Sequence, residues 1–385
     1  MKILHCCLSN FYIDGYSYQE NILPKYHKLE GHTVEILAST ETYLDKIKLG
    51  YVAPSSYMNP DGIKVTRIPY TSVLPAPLAR KIRVYSGVNS FLESYKPELI
   101  FVHGPQFWDA RKIARYVAEN PSVRLLVDSH ADFINSGKTW ISKNILHKII
   151  YRYSAKFLEP KAEVFYGVLP LRVKFLSEIY KINPEKVKLL VLGADISAEQ
   201  LENREKRRVE VRKRLGITQD RFVMISGGRI EKRKQFADLV RAAELLEEQK
   251  VDLILFGSPT KEMEADYNKW EKVSNVHFLG WIEPDQLYDL LFAADLAVFP
   301  GTHSVLWEQS TGVGLPCLFR RWDGIQHIDL DGNCRFLEEG STEEITSQVG
   351  HLLDTPLAYE QMVRVARSKG VQKFSYEQIA MDAIR

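Results

Sequence analysis

Cysteine is scarce: there are four in 385 residues, at Cys6, Cys7, Cys317 and Cys334. Adjacent Cys6 and Cys7 point to opposite faces of a strand, and no metal-ligand spacing appears. All four are expected to be buried, reduced thiols. No apolar run has the length needed to span a bilayer. The opening MKILHCCLSN reads as a short strand. It lacks the long apolar core and small-residue cleavage site of an export signal. A cytoplasmic protein is therefore expected. No short-period repeat or low-complexity tract is present. The basic residues belong to no recognisable nucleic-acid-binding module, so no nucleic-acid partner is expected.

What the chain does have is alternation. KILHCCLS, HTVEILAS, PELIFVHG, VRLLVDSH, AEVFYGV and KLLVLGAD read as strands of a first half. RFVMISGG, VDLILFG, NVHFLGW, LAVFPG and PCLFRRW read as strands of a second. They are near-continuous apolar runs separated by helical segments, as when helices cover both faces of a parallel sheet. Two doubly wound, Rossmann-like α/β domains are expected. The boundary is placed near residues 190–215, where AEQLENREKRRVEVRKR turns polar and reads as a linker or exposed helix. The domains are drawn as 1–195 and 196–371, with a C-terminal helix over about 372–385 returning to the first.

Charge is divided unevenly. Residues 1–190 carry 26 Lys and Arg against 17 Asp and Glu, and the remainder carries 25 against 32. A basic half points to an anionic surface or substrate. TWISKNILHKIIYRYSAKFL places Ile141, Ile145, Ile149, Ile150, Tyr153 and Phe157 at helical spacing, with Lys148, Arg152 and Lys156 on another face. With Arg80, Lys81 and Arg83, this reads either as a basic amphipathic helix on an anionic membrane or as an ordinary surface helix.

Ligands of open α/β sheets bind beyond the carboxyl ends of the strands. In ISGGRIEKRKQ a strand ends at Gly227–Gly228, Arg229 follows at once, and Lys234 precedes a helix. Glycine lets backbone approach a ligand, and Arg, Lys and a helix N-terminus all suit a diphosphate. In FPGTHSVLWEQSTGVGLP a helix is expected to begin near Ser304, with Glu308 one turn deeper among apolar neighbours. Glu308 then either accepts from vicinal hydroxyls of a ribose or pairs with Arg320 or Arg321. LLVDSHADF delivers Asp128, His130 and Asp132 to a strand end, where His130 is a base, a hydrogen-bonding residue or a structural histidine. The loop NFYIDGYSYQEN offers Gly15 with Phe11, Tyr12, Tyr16 and Tyr18, a setting for stacking on a sugar but not a G-x-G-x-x-G fingerprint. Asp329 and Asp331 have metal-pair spacing, but Asp331-Gly332-Asn333 reads as a turn, so no metal is expected.

In order and spacing these segments resemble the GT-B retaining glycosyltransferases of the Glu-x7-Glu, glycosyltransferase family 4-like, group. LEGHTVEILAS, KPELIFVHG, SGGRIEKRKQ, VHFLGWIEPDQLYDLLFAADLAVFP, EQSTGVGLP and FSYEQIA carry the likeness over nearly the whole chain. The resemblance implies two domains facing a cleft. It implies a nucleotide-diphosphate sugar, UDP-linked among others, as substrate, with no cofactor or metal. Donor-binding residues would be Gly228, Arg229, Lys234, Gly280, Trp281, His303, Ser304, Val305, Leu306 and Glu308. His130, Arg229 and Lys234 would serve catalysis, and Gly15, Tyr16, His130 and Asp132 the acceptor side. The acceptor would be a saccharide or lipid-linked hydroxyl in cell-surface polysaccharide or glycolipid synthesis, met at the inner face of the membrane. Two departures stand out. Gln235 replaces the glycine usual after the lysine, and Pro300 stands where the first glutamate is expected. His303 and Ser304 in the shortened turn then become the candidates for sugar selection. Two alternatives stay open: an epimerase or phosphorylase on the same architecture, and a silent sugar-nucleotide-binding partner protein.

Overall fold

A computed structural model of the chain describes residues 1–45, 48–132, 140 and 142–385. It divides into two compact units, Met1–Val191 with Ala380–Arg385, and Leu192–Ile379. Each is an α/β unit built on one large sheet, as the alternation of apolar runs implies.

The first sheet is formed by β1 (Lys2–Cys7), β2 (Thr33–Ser39), β5 (Ser55–Met58), β6 (Lys64–Ile68), β7 (Leu99–His103), β8 (Arg124–Ser129), β9 (Val164–Gly167) and β10 (Val187–Leu189). A separate hairpin pairs β3 (Glu41–Asp45) with β4 (Lys48–Tyr51). The sheet order is β10-β9-β8-β7-β1-β2-β6-β5, and only the edge strand β5 runs antiparallel. The order reverses between β1 and β7, so the loops after these strands flank a switch point. The register sets His103 beside Asp128 and His5 beside Phe101. Two-residue periodicity puts His5, His103 and Asp128 on one face of an otherwise apolar sheet.

The second sheet is formed by β11 (Phe222–Gly227), β12 (Val251–Phe256), β13 (Val276–Phe278), β14 (Leu296–Phe299), β15 (Cys317–Arg320) and β16 (Cys334–Leu337). All its pairings are parallel, in the order β13-β12-β11-β14-β15-β16. Its switch point lies between β11 and β14, the strands that end at Gly227 and Phe299. The four cysteines are buried and free.

One sequence reading is narrowed to its helical alternative and two change. The charged stretch expected to be a linker or exposed helix is two helices, Ala198–Glu202 and Arg204–Leu215. Arg212 is wholly buried, with Nη2 donating to Asp295 at 2.6 Å and Nε to the Ala293 carbonyl at 2.8 Å. Its length of hydrocarbon packs inward while the fork meets a carboxylate, which a count of charges misses. The basic helix opens as a π-helix over Ser142–Tyr151 before the α-helix Arg152–Leu158. The wider turn shifts the helical phase, so Ile149 and Tyr153 are 61% and 59% exposed while His147, Ser154, Ala155 and Leu158 are buried. Lys148, Arg152 and Lys156 are not an open basic row: they donate to Asn144 Oδ1, the Ile179 carbonyl and Glu159. Thr139, Ile141 and the side chain of Ile145 lie outside the described residues. Among the described residues no helix is long and apolar enough to cross a membrane.

Candidate active site

The second switch point is closed by glycines that have no room for a side chain. Gly257 has φ +131°, and a Cβ there would lie 1.7 Å from the Gly228 carbonyl oxygen. Gly257 N donates to the Gly280 carbonyl at 2.6 Å and Gly228 N to the Phe256 carbonyl at 3.0 Å. The ends of β11, β12 and β13 are thereby stitched together. A Cβ on Gly228 would meet Leu306 at 3.5 Å, so the end of β11 also abuts the start of the helix Leu306–Gly312. That helix starts two residues later than expected. The amides at its start have no acceptor within the helix.

Lys234 joins the same cluster. Its Nζ donates to the carbonyls of Thr302 at 2.6 Å and His303 at 3.1 Å, leaving one of its three hydrogens for a ligand. Gly301 lets the loop pass, since a Cβ there would sit 2.4 Å from Lys234 Cα. Burial pushes the Lys234 ammonium down to about 8, with Arg233 adding to the fall and Glu231 opposing it. Arg229 is exposed after β11 and makes no hydrogen bond or ion pair to a described residue. Trp281 is 66% exposed next to Gly280. Gln235 has φ +55°, in the left-handed region where glycine is favoured, and its Nε2 donates to the Glu339 carbonyl at 3.0 Å.

Glu308 is wholly buried, and its partners are histidines rather than Arg320 or Arg321. His303 Nε2 lies 2.9 and 3.0 Å from its two oxygens, and His327 Nε2 lies 3.1 Å from Oε1. Burial alone would raise the carboxyl, but the two histidines outweigh it and hold it down at about 2. Oε2 shares only the His303 proton, so it retains capacity for a ligand hydroxyl. The hydroxyls of Thr302, Ser304 and Ser226 are buried without a partner among the described residues. Arg320 and Arg321 turn instead to the Leu337 carbonyl and Glu338. His327 was not legible as a site residue, because it lies nineteen residues beyond Glu308 and reaches it only through the fold.

In the first unit Gly15 has φ +75°, and the rings of Tyr16 and Tyr18 stack at 5.2 Å. His130 follows β8, with Nε2 3.8 Å from Asp128 Oδ2 and no hydrogen-bond partner among the described residues. Asp132 pairs with Arg172 at 3.3 Å.

Residues 207–369 match the family model described as Glycosyl transferases group 1. This span carries the whole cluster from Gly228 to Glu308. Relatives agree. The MMP alpha-(1->4)-mannosyltransferase of Mycolicibacterium hassiacum is 23% identical over 216 residues, covering 53% of this chain and 49% of that protein. The D-inositol 3-phosphate glycosyltransferase 1 of Catenulispora acidiphila is 28% identical over 181 residues, covering 43% and 42%. The chain thus spans about half or less of the length of these curated relatives. The crystal structure of Anabaena HepE in complex with UDP superposes with a TM-score of 0.69 at 16% identity, over 99% of this chain and 98% of that one. The fold around the matched span is therefore GT-B, two Rossmann-like units on sheets that are parallel but for β5.

Proposed function

We propose that the protein transfers a sugar from a nucleotide-diphosphate sugar to a hydroxyl with retention at the anomeric carbon. The observation that carries this reading is the meeting of Gly228, Lys234, His303 and Glu308 at one switch point within a group 1 domain. Arg229, the free hydrogen of Lys234 and the amides of Val305 and Leu306 bind the diphosphate. Glu308 Oε2 accepts from the ribose, and Gly280 and Trp281 border the base. His303 and Ser304 stand where the first glutamate is missing and read the donor sugar. A UDP-linked donor is favoured by the likeness to a UDP-binding structure.

The bond from the anomeric carbon to the leaving phosphate oxygen breaks as the acceptor oxygen attacks from the same face. The acceptor proton passes to the leaving diphosphate. Cations and amides aimed at that diphosphate stabilise its developing charge, so no metal is required of the step. His130 lies by the transferred sugar, and Gly15, Tyr16 and Asp132 border the acceptor.

The acceptor is a saccharide or lipid-linked hydroxyl of cell-surface polysaccharide or glycolipid synthesis. Contact with an anionic membrane runs through Arg80, Lys81 and Arg83, and through Lys148, Arg152 and Lys156 once these three exchange their internal acceptors for lipid headgroups. Exposed Leu78, Ile149 and Tyr153 support that contact. Flotation with anionic vesicles at low salt tests it; protein left at the bottom of the gradient counts against it. The main reading is tested by thermal shift with UDP, GDP and ADP. One diphosphate should raise the melting temperature of the wild type but not of Lys234→Ala, and EDTA should leave the shift and turnover unchanged. Equal shifts in both proteins would overturn the assignment.

A further inference from the structure

Four buried groups in the first unit lie in one hydrogen-bonded line that the transfer reading does not use. Asp128 Oδ2 lies 2.7 Å from His103 Nδ1, and His103 Nε2 lies 2.9 Å from His5 Nδ1. His5 Nε2 lies 3.0 Å from His27 Nδ1, and His27 Nε2 lies 2.9 Å from the Ala380 carbonyl oxygen. His5, His27, His103 and Asp128 are all 0% exposed.

Counting hydrogens along this line fixes its charge. A carbonyl oxygen can only accept, so His27 Nε2 carries a hydrogen. A neutral His27 then accepts at Nδ1, so His5 Nε2 carries a hydrogen and His5 Nδ1 accepts. His103 Nε2 must carry the next. The fourth bond, from His103 to Asp128, needs one more hydrogen, because an unprotonated ring nitrogen and a carboxylate repel. Four bonds between two terminal acceptors need four hydrogens, and three neutral imidazoles supply three.

We propose that this line permanently holds one extra proton, that His103 carries it as an imidazolium against ionised Asp128, and that the pair is the positioning device for His130. Several independent features fit. A hydrogen bond between two charged groups is stronger than one between neutral groups, and at 2.7 Å the His103–Asp128 contact is the shortest of the line. Burial lowers His5 and His27, keeping those rings neutral. Burial would also lower His103, but Asp128 reverses this and raises it. The titratable groups near the line are Glu20 and His32 on the His27 side, Cys7 on β1, Tyr166 on β9 and His130 after β8. Only Asp128 makes a direct bond to His103 that calls for a second ring proton. The imidazolium offsets the charge of Asp128, so the field that His130 meets 3.8 Å from the carboxylate is that of a neutralised pair rather than of a bare anion. The role of His130 rests on the transferase reading; the proton count does not.

Histidine-labelled full-length protein, observed by imidazole nitrogen NMR, tests the count without any assay of turnover. One ring should stay doubly protonated at pH 8, and its signal should vanish in Asp128→Asn. The sharper variant is His27→Leu, far from the strand end. Without His27, His5 can turn its hydrogen to Nδ1, and neutral His103 can then donate to Asp128 from Nδ1. The line then needs no extra proton, and the imidazolium signal should disappear although His103 and Asp128 are intact. The acid limb of the pH–rate profile should then move, with KM for the donor within about two-fold of wild type. Neutral rings throughout at pH 8 in the wild type would overturn the proposal, and that outcome needs no variant to fold. An imidazolium that persists in folded His27→Leu would overturn it too. An unmoved pH–rate profile beside a lost imidazolium would remove the positioning of His130 and leave the group 1 reading untouched.

Discussion

Glu308 and Asp128 are both wholly buried carboxylates, one in each unit, and each is met by histidine. The hydrogen count separates them. At Glu308 two imidazoles converge on one acceptor through Nε2, and two neutral rings supply both hydrogens. At Asp128 the rings run in series to a second acceptor, the Ala380 carbonyl, so three neutral rings fall one hydrogen short. Converging rings meet Glu308 and end there, whereas rings in series tie Asp128 Oδ2 to the distant Ala380 carbonyl and leave Oδ1 without a partner among the described residues. The first arrangement suits a binding site that must exchange its occupant. The second suits a fixed charge that does not.

Substitutions that remove only charge break this comparison most directly. Asp128→Asn should cost about 3–5 kcal/mol, because it leaves a buried imidazolium unpaired or forces its deprotonation. Urea unfolding at pH 7 measures the loss, and a cost below that of Glu308→Gln would refute the distinction. Lys234→Ala should lower kcat by about a hundred-fold or more, equivalent to roughly 3 kcal/mol. It should not lower stability greatly. The folded ammonium at about 8 lies below its ordinary 10.5, so the charged form is disfavoured in the fold. The folded state gains relative stability as pH rises between those values, and below about 8 the lysine opposes folding.

Glu308→Gln should weaken diphosphate-sugar binding about ten-fold and lower stability by about 1–3 kcal/mol, since an amide oxygen at Oε1 sets the NH2 group at Oε2 against the His303 donor, and the charge is lost. The sign with pH is definite. A carboxyl held at about 2 against an ordinary 4.5 stabilises the fold above 4.5, and that contribution is lost as pH falls through about 2. The gap between wild type and variant should therefore shrink in acid. A gap that widens would mean the histidines do not hold the charge. A smaller effect concerns Lys234 again: a bound diphosphate restores its proton. Titration calorimetry in buffers of different ionisation enthalpy should show proton uptake on binding at pH 8.5 and nearly none at pH 6.5. The smallest expected change is Gln235→Gly. Relief of a left-handed residue and loss of its bond to Glu339 nearly cancel, leaving stability within about 1 kcal/mol of wild type by chemical denaturation.

The doubly wound sheets were legible because buried parallel strands are long apolar runs, and RFVMISGG or VDLILFG admits little else. The polar stretch 41–68 hid a hairpin, the edge strand β5 and, one strand in, the short β6, since strands at or near a sheet edge need no long apolar run. At the candidate site, Lys234 and Glu308 stood out by type and position. His303 was legible only as a neighbour in a turn, and its bond to Glu308 depends on how that turn folds back. The line through His5, His27 and His103 left almost no trace in spacing, because parallel register and a covering helix create it. The one signal was chemical: a histidine inside LIFVH or KILHCC must find a partner once buried.

The segment Ala380–Arg385 is written into the chain long after the rest of the unit it completes. His27, Tyr166 and Arg124 grasp its carbonyls at Ala380, Ala383 and Ile384. During synthesis at about 5–20 residues per second, residues 192–379 occupy roughly ten to forty seconds between Val191 and Ala380. Through that interval His27 has no acceptor and the line of rings has no reason to hold its extra proton. Capture of the late segment is thus also a protonation event, and the unit acquires its buried charge only once Ala380 has left the ribosome and docked on His27.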